Sequence, residues 1–145
     1  MHDHLSEARE RRAGLRDAIG NVERAMAGPA GTRFEPWGKE LARELDELGE
    51  ALERHIASTE APGGLLDDIL HEEPRLARRV HLVREDHETL RQRLADARAA
   101  LPHSADDVRV ARDRVVDLLE AVVRHRHMGS DLVYEAYNVD MEAAD

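Results

Sequence analysis

The chain has 145 residues, a formal net charge of -10, no cysteine and only 3% aromatic residues. Its acidity argues against nucleic acid and anionic membrane surfaces as partners, because both attract basic proteins. The lack of cysteine excludes disulfides, thiolate zinc sites, iron–sulfur clusters and a thiol nucleophile. The length suits a single domain over residues 1–145.

Apolar residues that recur every three or four positions predict four helices, separated by clusters of glycine, proline and serine. The first helix is predicted over residues 5–26 and the second over residues 37–59. Gly28 and Pro29 break the helical pattern between them. Trp37 is expected to plug one end of the bundle rather than to belong to a site.

The second half of the chain continues the pattern. A short amphipathic segment over residues 65–70 follows the break at Pro62. The third helix is predicted over residues 74–101, with Pro74 at the first helical position, where its missing N–H is tolerated. The fourth is predicted over residues 105–138, with Ser104 as its N-cap. Short connections favour an all-α fold, an antiparallel up-down-up-down four-helix bundle.

Each of the last three helices carries a histidine on its apolar face. His55, His87 and His125 stand where the spacing of three and four calls for an apolar residue. A buried imidazole is costly unless it is hydrogen-bonded or coordinated. Counted at about 1.5 Å per residue from the bundle end that holds the N-terminus, His55 lies at about 10 Å, and His87 and His125 at about 20 Å. Three converging histidines with acids nearby predict a metal site in two layers.

Other polar residues fall in the same half of the bundle. Imidazole and carboxylate ligands suit iron and zinc, and carboxylates can bridge two ions. Neither the Glu-x-x-His pairs of ferritin-like di-iron proteins nor a His-Glu-x-x-His zinc motif is present in the sequence. The candidate metal ligands are His4, His55, Glu60, His81, His87, His125, Asp131 and Glu135.

Some of these residues have a simpler explanation. Glu60 could only close the end of its helix, and Asp131 and Glu135 could form a solvated stripe. His81 lies one step away from the apolar face of its helix. Arg12 falls on the apolar face of the first helix, so it is expected either on a solvated arginine face or paired with acids of the site.

Three stretches of the chain resemble the hemerythrin-like (HHE cation-binding) domain proteins, and more closely an actinobacterial-type branch. They are residues 55–65, 84–87 and 124–137, which cover the second to fourth helices. The resemblance implies a four-helix bundle that holds a non-haem di-iron site and binds dioxygen, nitric oxide or peroxide.

The chain departs from the family pattern on its second and third helices. The family has a glutamate four residues after the second-helix histidine, and Thr59 stands at that position, with Glu60 one residue further on. The third helix of the family carries a His-x-x-x-His pair. Here Val83 stands four residues before His87, and the nearest earlier histidine is His81.

The first and fourth helices also depart from the pattern. Asp131 follows His125 by six residues rather than by four or five. The first-helix histidine is carried by His4, with His2 as the alternative. These departures leave open a mixed iron–zinc site or more than two ions.

The leading hypothesis is a hemerythrin-like protein with a di-iron or mixed Fe/Zn centre that binds or senses dioxygen, nitric oxide or peroxide, with weak oxidase or peroxide-consuming activity left open. A structural zinc or metal-storage bundle is the first alternative, and a metal-free helical interaction module is the second. The expected partner is a small diatomic or peroxide ligand, with neither nucleic acid nor membrane, in a monomer or homodimer. The lack of a signal peptide and of any stretch of about 18 apolar residues favours a cytoplasmic location.

Overall fold

The computed structural model describes residues 2–31, 33–139 and 141, with their side chains from residue 4 onward. These residues contain five α-helices and no strand, which confirms the prediction of an all-α fold. None of the helices in this part of the chain has the length and apolar character needed to cross a bilayer. The helices are α1 (His2–Ala27), α2 (Phe34–Glu60), α3 (Leu65–Glu72), α4 (Ala77–Ala99) and α5 (Val108–Tyr137).

The helix starts differ from the predicted ones for local reasons. α2 begins at Phe34, because Pro36 then lies in the first turn, where a missing N–H costs no intrahelical bond. Pro74–Leu76 and Ala105–Asp107 are 3₁₀ turns, so α4 and α5 each begin about three residues later than predicted. Short 3₁₀ turns are frequent at helix starts.

Ser104 stands at the N-cap position of the 3₁₀ turn that leads into α5, rather than at that of α5 itself. Its side chain makes no capping hydrogen bond within the described residues. The carboxylate of Asp107 instead accepts a hydrogen bond from the backbone N of His103, at 3.0 Å. The side chain at the end of the turn, rather than the one at its start, therefore makes the hydrogen bond that stabilises it.

The break after α2 needs glycine. Gly63 has a φ of +74°, which favours glycine. A Cβ on Gly64 would lie 2.8 Å from the backbone oxygens of Ser58 and Ala61, closer than a side chain can approach. This tight turn folds α3 back against α2, with which it packs.

Two apolar clusters fill the interior. The larger one, the leucine core, is built around Leu41, Leu45, Leu48, Leu90 and Leu118 and also contains the buried Trp37. The smaller one, the α3 core, is built around Leu66, Ile69, Leu76, Val80 and Leu132. α1 packs mainly against α2, and α4 mainly against α5.

Histidines that were predicted to point inward lie where these two clusters meet. Along α5, His125 stands between Val122 of the leucine core and Leu132 of the α3 core. Along α4, His87 stands between Leu90 and Val83, which belong to the same two clusters in the same order. The fold therefore places a polar layer between two apolar ones.

Candidate metal centre

Three histidines from three helices meet in the interior; we call His55, His87 and His125 the histidine layer. Their exposed fractions are 9%, 1% and 3%. The ring centroids are separated by 5.4, 5.3 and 4.8 Å. One ring nitrogen from each lies within 4.8 Å of the other two. Within the described residues, this is the one group of at least three histidine or acidic side chains with such geometry.

The histidines form one layer rather than two. The helical count places His55 about 10 Å below His125, yet Nε2 of His55 lies 3.2 Å from Nε2 of His125. The prediction fails because it assumes that Pro62 and Pro74, from which the heights are counted, lie at the same height along the bundle. In the structure α3 and a 3₁₀ turn stand between α2 and the start of α4, so the two helices are offset along the bundle.

Two carboxylates hold two of the rings. Nδ1 of His125 donates a hydrogen bond to Oδ2 of Asp86, at 2.8 Å. Nδ1 of His87 is hydrogen-bonded to Oε2 of Glu60. A carboxylate on Nδ1 fixes the tautomer and leaves the lone pair of Nε2 free to bind a metal. Glu60, predicted as a ligand, therefore orients His87 in this structure.

Asp86 belongs to the candidate site by its contact with His125, and the sequence analysis did not include it. It directly precedes His87 on α4, but its carboxylate reaches across to His125 on α5. The available signal was the acidic stretch next to His87, which the family resemblance already included. Spacing along one helix could not show that Asp86 serves a histidine of another helix.

The layer leaves ring nitrogens without hydrogen bonds. Nδ1 of His55 and Nε2 of His87 are buried and have no partner among the described residues. A buried polar atom left unsatisfied costs about 1–3 kcal/mol. A metal bound to the three Nε2 atoms would use the His87 lone pair and replace the contact between His55 and His125.

Burial keeps the imidazoles neutral. Burial, together with the smaller effects of positive charge on His125, His87 and Arg12, lowers the pKa of His55 to about 3. Burial also lowers the pKa of His87, against the opposing effect of the hydrogen bond that His87 donates to the Glu60 carboxylate. The pKa of His125 is lowered in the same way, against the effect of Asp86. Neutral imidazole is the form that binds metal, so burial prepares the layer for coordination.

The distances suit a single ion. Two ligands at about 2.0–2.1 Å from a tetrahedral ion lie about 3.3 Å apart, and the Nε2 atoms of His55 and His125 are 3.2 Å apart. The widest separation in the layer is no more than 4.8 Å. A third ligand at the same spacing would require His87 to approach by up to about 1.5 Å. Three protein ligands leave one position open.

A small cavity adjoins the histidine layer. It measures about 40 Å³ and is lined mainly by apolar side chains, among them Leu15, Leu66, Val83 and Leu132. One water molecule needs about 10–15 Å³. The cavity therefore has room for a ligand of two or three heavy atoms next to the histidines. Two arginines, Arg12 and Arg126, also line it.

Two other predicted ligands lie outside the layer because of helical geometry. Six residues turn a helix by about 600°, which leaves a side chain about 120° from its starting direction. His81 precedes His87 by six residues; it is 66% exposed and pairs with Glu85 at 2.6 Å. Asp131 follows His125 by six residues and is exposed.

The remaining two candidates also face away from the layer. Glu135 is 47% exposed and lies 4.0 Å from Arg75. His4 is half-buried on α1 and borders a surface groove with Arg11 and Arg54. The side chain of His2 lies outside the described residues. Among the described side chains of α1, those that line the cavity are Ala8, Arg12 and Leu15, and none of them is a histidine.

The chain matches no protein-family model, no curated protein and no solved structure with which it was compared. The chemistry of the histidine layer therefore carries the functional argument.

Proposed function

We propose that the chain binds one divalent transition metal ion, iron or zinc, through His55, His87 and His125, and takes a small ligand at the open position. The observation that carries this proposal is the meeting of three buried, neutral imidazoles, two of them held by carboxylates. Carboxylate–histidine–metal arrangements of this kind orient the ring and raise its basicity.

The composition of the site favours a reactive centre over a purely structural one. Structural zinc sites are closed by four protein ligands, whereas three ligands and an open position are typical of catalytic zinc. Imidazole donors also suit iron. The ion would supply Lewis acidity or, as iron, redox chemistry. The residues of the chain hold it, exclude bulk water with the apolar cavity wall, and limit the size of what enters.

The proposal is compatible with a hemerythrin-like protein that binds or senses dioxygen, nitric oxide or peroxide, since the cavity has room for two or three heavy atoms. A di-iron or mixed Fe/Zn form is the second version of the proposal. This version is supported by the carboxylates of Glu60 and Asp86, which lie next to the rings of His87 and His125 and could serve as further ligands. Either carboxylate would have to exchange its histidine hydrogen bond for a metal.

We also interpret the helices as an antiparallel up-down bundle. Nε1 of Trp37, near the start of α2, donates to the carbonyl of Met26, near the end of α1, at 3.3 Å. The packing of α1 on α2 and of α4 on α5 is consistent with two helical hairpins. In such a bundle the histidine layer is built from one helix of the first hairpin and both of the second.

The test is the metal content of protein purified without added metal and then titrated with iron(II) or zinc. We expect one ion per chain in the wild type and loss of binding in H55A, H87A and H125A. H81A is the matched control, because His81 is exposed and paired with Glu85. Two ions per chain would favour the di-iron version, and the absence of any binding would favour the metal-free interaction module.

Optical spectra of the iron(II)-loaded protein with nitric oxide then test the open position. A spectral change that H81A retains supports small-ligand binding. A zinc-only protein without ligand response would favour the structural or storage alternative.

A further inference from the structure

One side chain in the wall of the cavity comes from outside the helices. Met141 follows α5 and is only 1% exposed. It borders the same cavity as the three histidines. Among the described residues that line this cavity, all the others belong to the five helices. A substitution at Met141 therefore changes the cavity without removing a side chain from any helix.

The segment that carries Met141 is anchored at both sides. Asn138 has a φ of +55°, a left-handed conformation that commonly ends helices and that asparagine tolerates. Its backbone N–H donates to a carbonyl in the last turn of α5, at 2.7 Å. The hydroxyl of Tyr137 donates to Asp68 of α3. Val139 packs against the α3 core, and Met141 belongs to that core. The chain thus returns to the interior after α5 and is tied to α3 where it does so.

We infer that Met141 sets the upper size limit of the ligand that the histidine site can take. This inference rests on the proposed function, because a bound ion is what gives the ligand an open position to occupy. The cavity has room for two or three heavy atoms. Methionine has three heavy atoms beyond Cβ and fills irregular gaps because it is flexible and unbranched. Truncation to alanine would leave room for about three more heavy atoms, to the extent that the site does not collapse.

Azide and imidazole distinguish the two cavity sizes. Azide has three heavy atoms, which the cavity of the wild type can hold. Imidazole has five, which only the enlarged cavity can hold. Both are nitrogen donors, so they differ mainly in the space that they need. The wild type should therefore accept azide and disfavour imidazole, because forcing extra atoms into a packed interior is unfavourable.

The test compares the Kd of azide and of imidazole for the cobalt(II)-loaded protein, each followed by its visible absorption. M141A should lower the Kd of imidazole by about tenfold or more and leave that of azide within about threefold. M141L, which nearly keeps the volume, should bind both ligands as the wild type does. M128A is the matched control, because Met128 packs against the α3 core but does not line the cavity.

An unchanged Kd of imidazole in M141A would overturn the inference. An equal gain of imidazole affinity in M128A would do so as well, because it would show that any methionine truncation loosens the site. If M141A does not load cobalt, M141V takes its place: a smaller gain of imidazole affinity is expected, and no gain overturns the inference. Cobalt content is measured first: a wild type that binds no cobalt overturns the proposed function too, whereas the other failures affect this inference alone.

Discussion

The leucine core and the histidine layer occupy successive levels of the same helices, but they are built on different principles. In the leucine core, Leu41, Leu45, Leu90 and Leu118 are completely buried. Fully burying such a side chain contributes about 1.5–3 kcal/mol. The histidine layer is almost as buried, yet it contains ring nitrogens without partners and adjoins a cavity.

The histidine layer is packed less favourably than the leucine core. Close packing would favour leucine at all three histidine positions, because an apolar residue there leaves no polar atom unsatisfied. Functional sites commonly retain such locally unfavourable features. The two apolar clusters on either side supply the stability that the histidine layer lacks.

Metal binding should produce the largest change, and it should act through the histidine layer. With iron(II) or zinc at about 1,000 times Kd, the free energy of unfolding should rise by about 4 kcal/mol. Urea denaturation with and without a chelator measures this rise. H55A should show none of it. Equal midpoints for the chelated and loaded wild type would contradict the proposed site.

Truncation in the leucine core should weaken the fold without touching the site. Leu45→Ala should lower the free energy of unfolding of the metal-free protein by about 3 kcal/mol, through lost burial and a residual cavity. The metal content should stay at that of the wild type. Leu82→Ala is the control, because Leu82 is an exposed leucine. Loss of metal in Leu45→Ala would mean that the two regions are not independent.

Removing the carboxylate that orients His125 should weaken the site without removing a ligand. We expect Asp86→Asn to lower metal affinity by about 10- to 100-fold, the usual effect of losing such a partner. Competition with a chelating dye measures the change. Glu85→Gln is the adjacent control, because Glu85 is exposed and pairs with His81. Equal affinities in the two variants would show that Asp86 plays no part.

The metal-free protein should lose stability in acid because of the histidine layer. The pKa of His55 is lowered to about 3 in the folded state, against about 6.5 when unfolded. Its contribution to stability is therefore complete above about pH 6.5 and is lost as the pH falls towards 3, because the unfolded chain binds the proton first. The slope for one histidine is at most about 1.4 kcal/mol per pH unit. His55→Leu should reduce the slope of unfolding free energy between pH 6 and 4, and an unchanged slope would contradict this.

The smallest effects should come from the candidates that lie outside the layer. Asp131→Asn and Glu135→Gln should change the free energy of unfolding by no more than about 0.5 kcal/mol, as is usual for exposed positions. Metal content, measured on both variants, should be unchanged. A loss of metal would extend the ligand set to the exposed face of α5.

The all-α class and the burial of the three histidines were predictable, because both follow from the period of one helix. His55, His87 and His125 replace apolar residues in a pattern that holds whatever the neighbouring helices do. The helix starts were less predictable. A 3₁₀ turn and an α-turn differ only in whether the hydrogen bond spans three or four residues, and the proline at residue 74 is compatible with both.

The acids of the site were the least predictable part. The position of Asp131 in the same half of the bundle made it a predicted ligand, whereas the carboxylate on His125 belongs to Asp86 of the neighbouring helix. Contacts of this kind depend on the direction of two side chains from different helices. No pattern within a single helix records them.

The spacing of apolar residues along each helix is enough to direct the three histidines inward, since a helix turns by a constant angle per residue. Their meeting at one level depends on the offset between helices, which the Gly63–Gly64 turn and the packing of α3 help to set. The same offset brings Glu60 to His87 and Arg12 to the cavity. Tertiary packing alone decides these meetings, because interhelical offset comes from connections and core contacts rather than from local spacing.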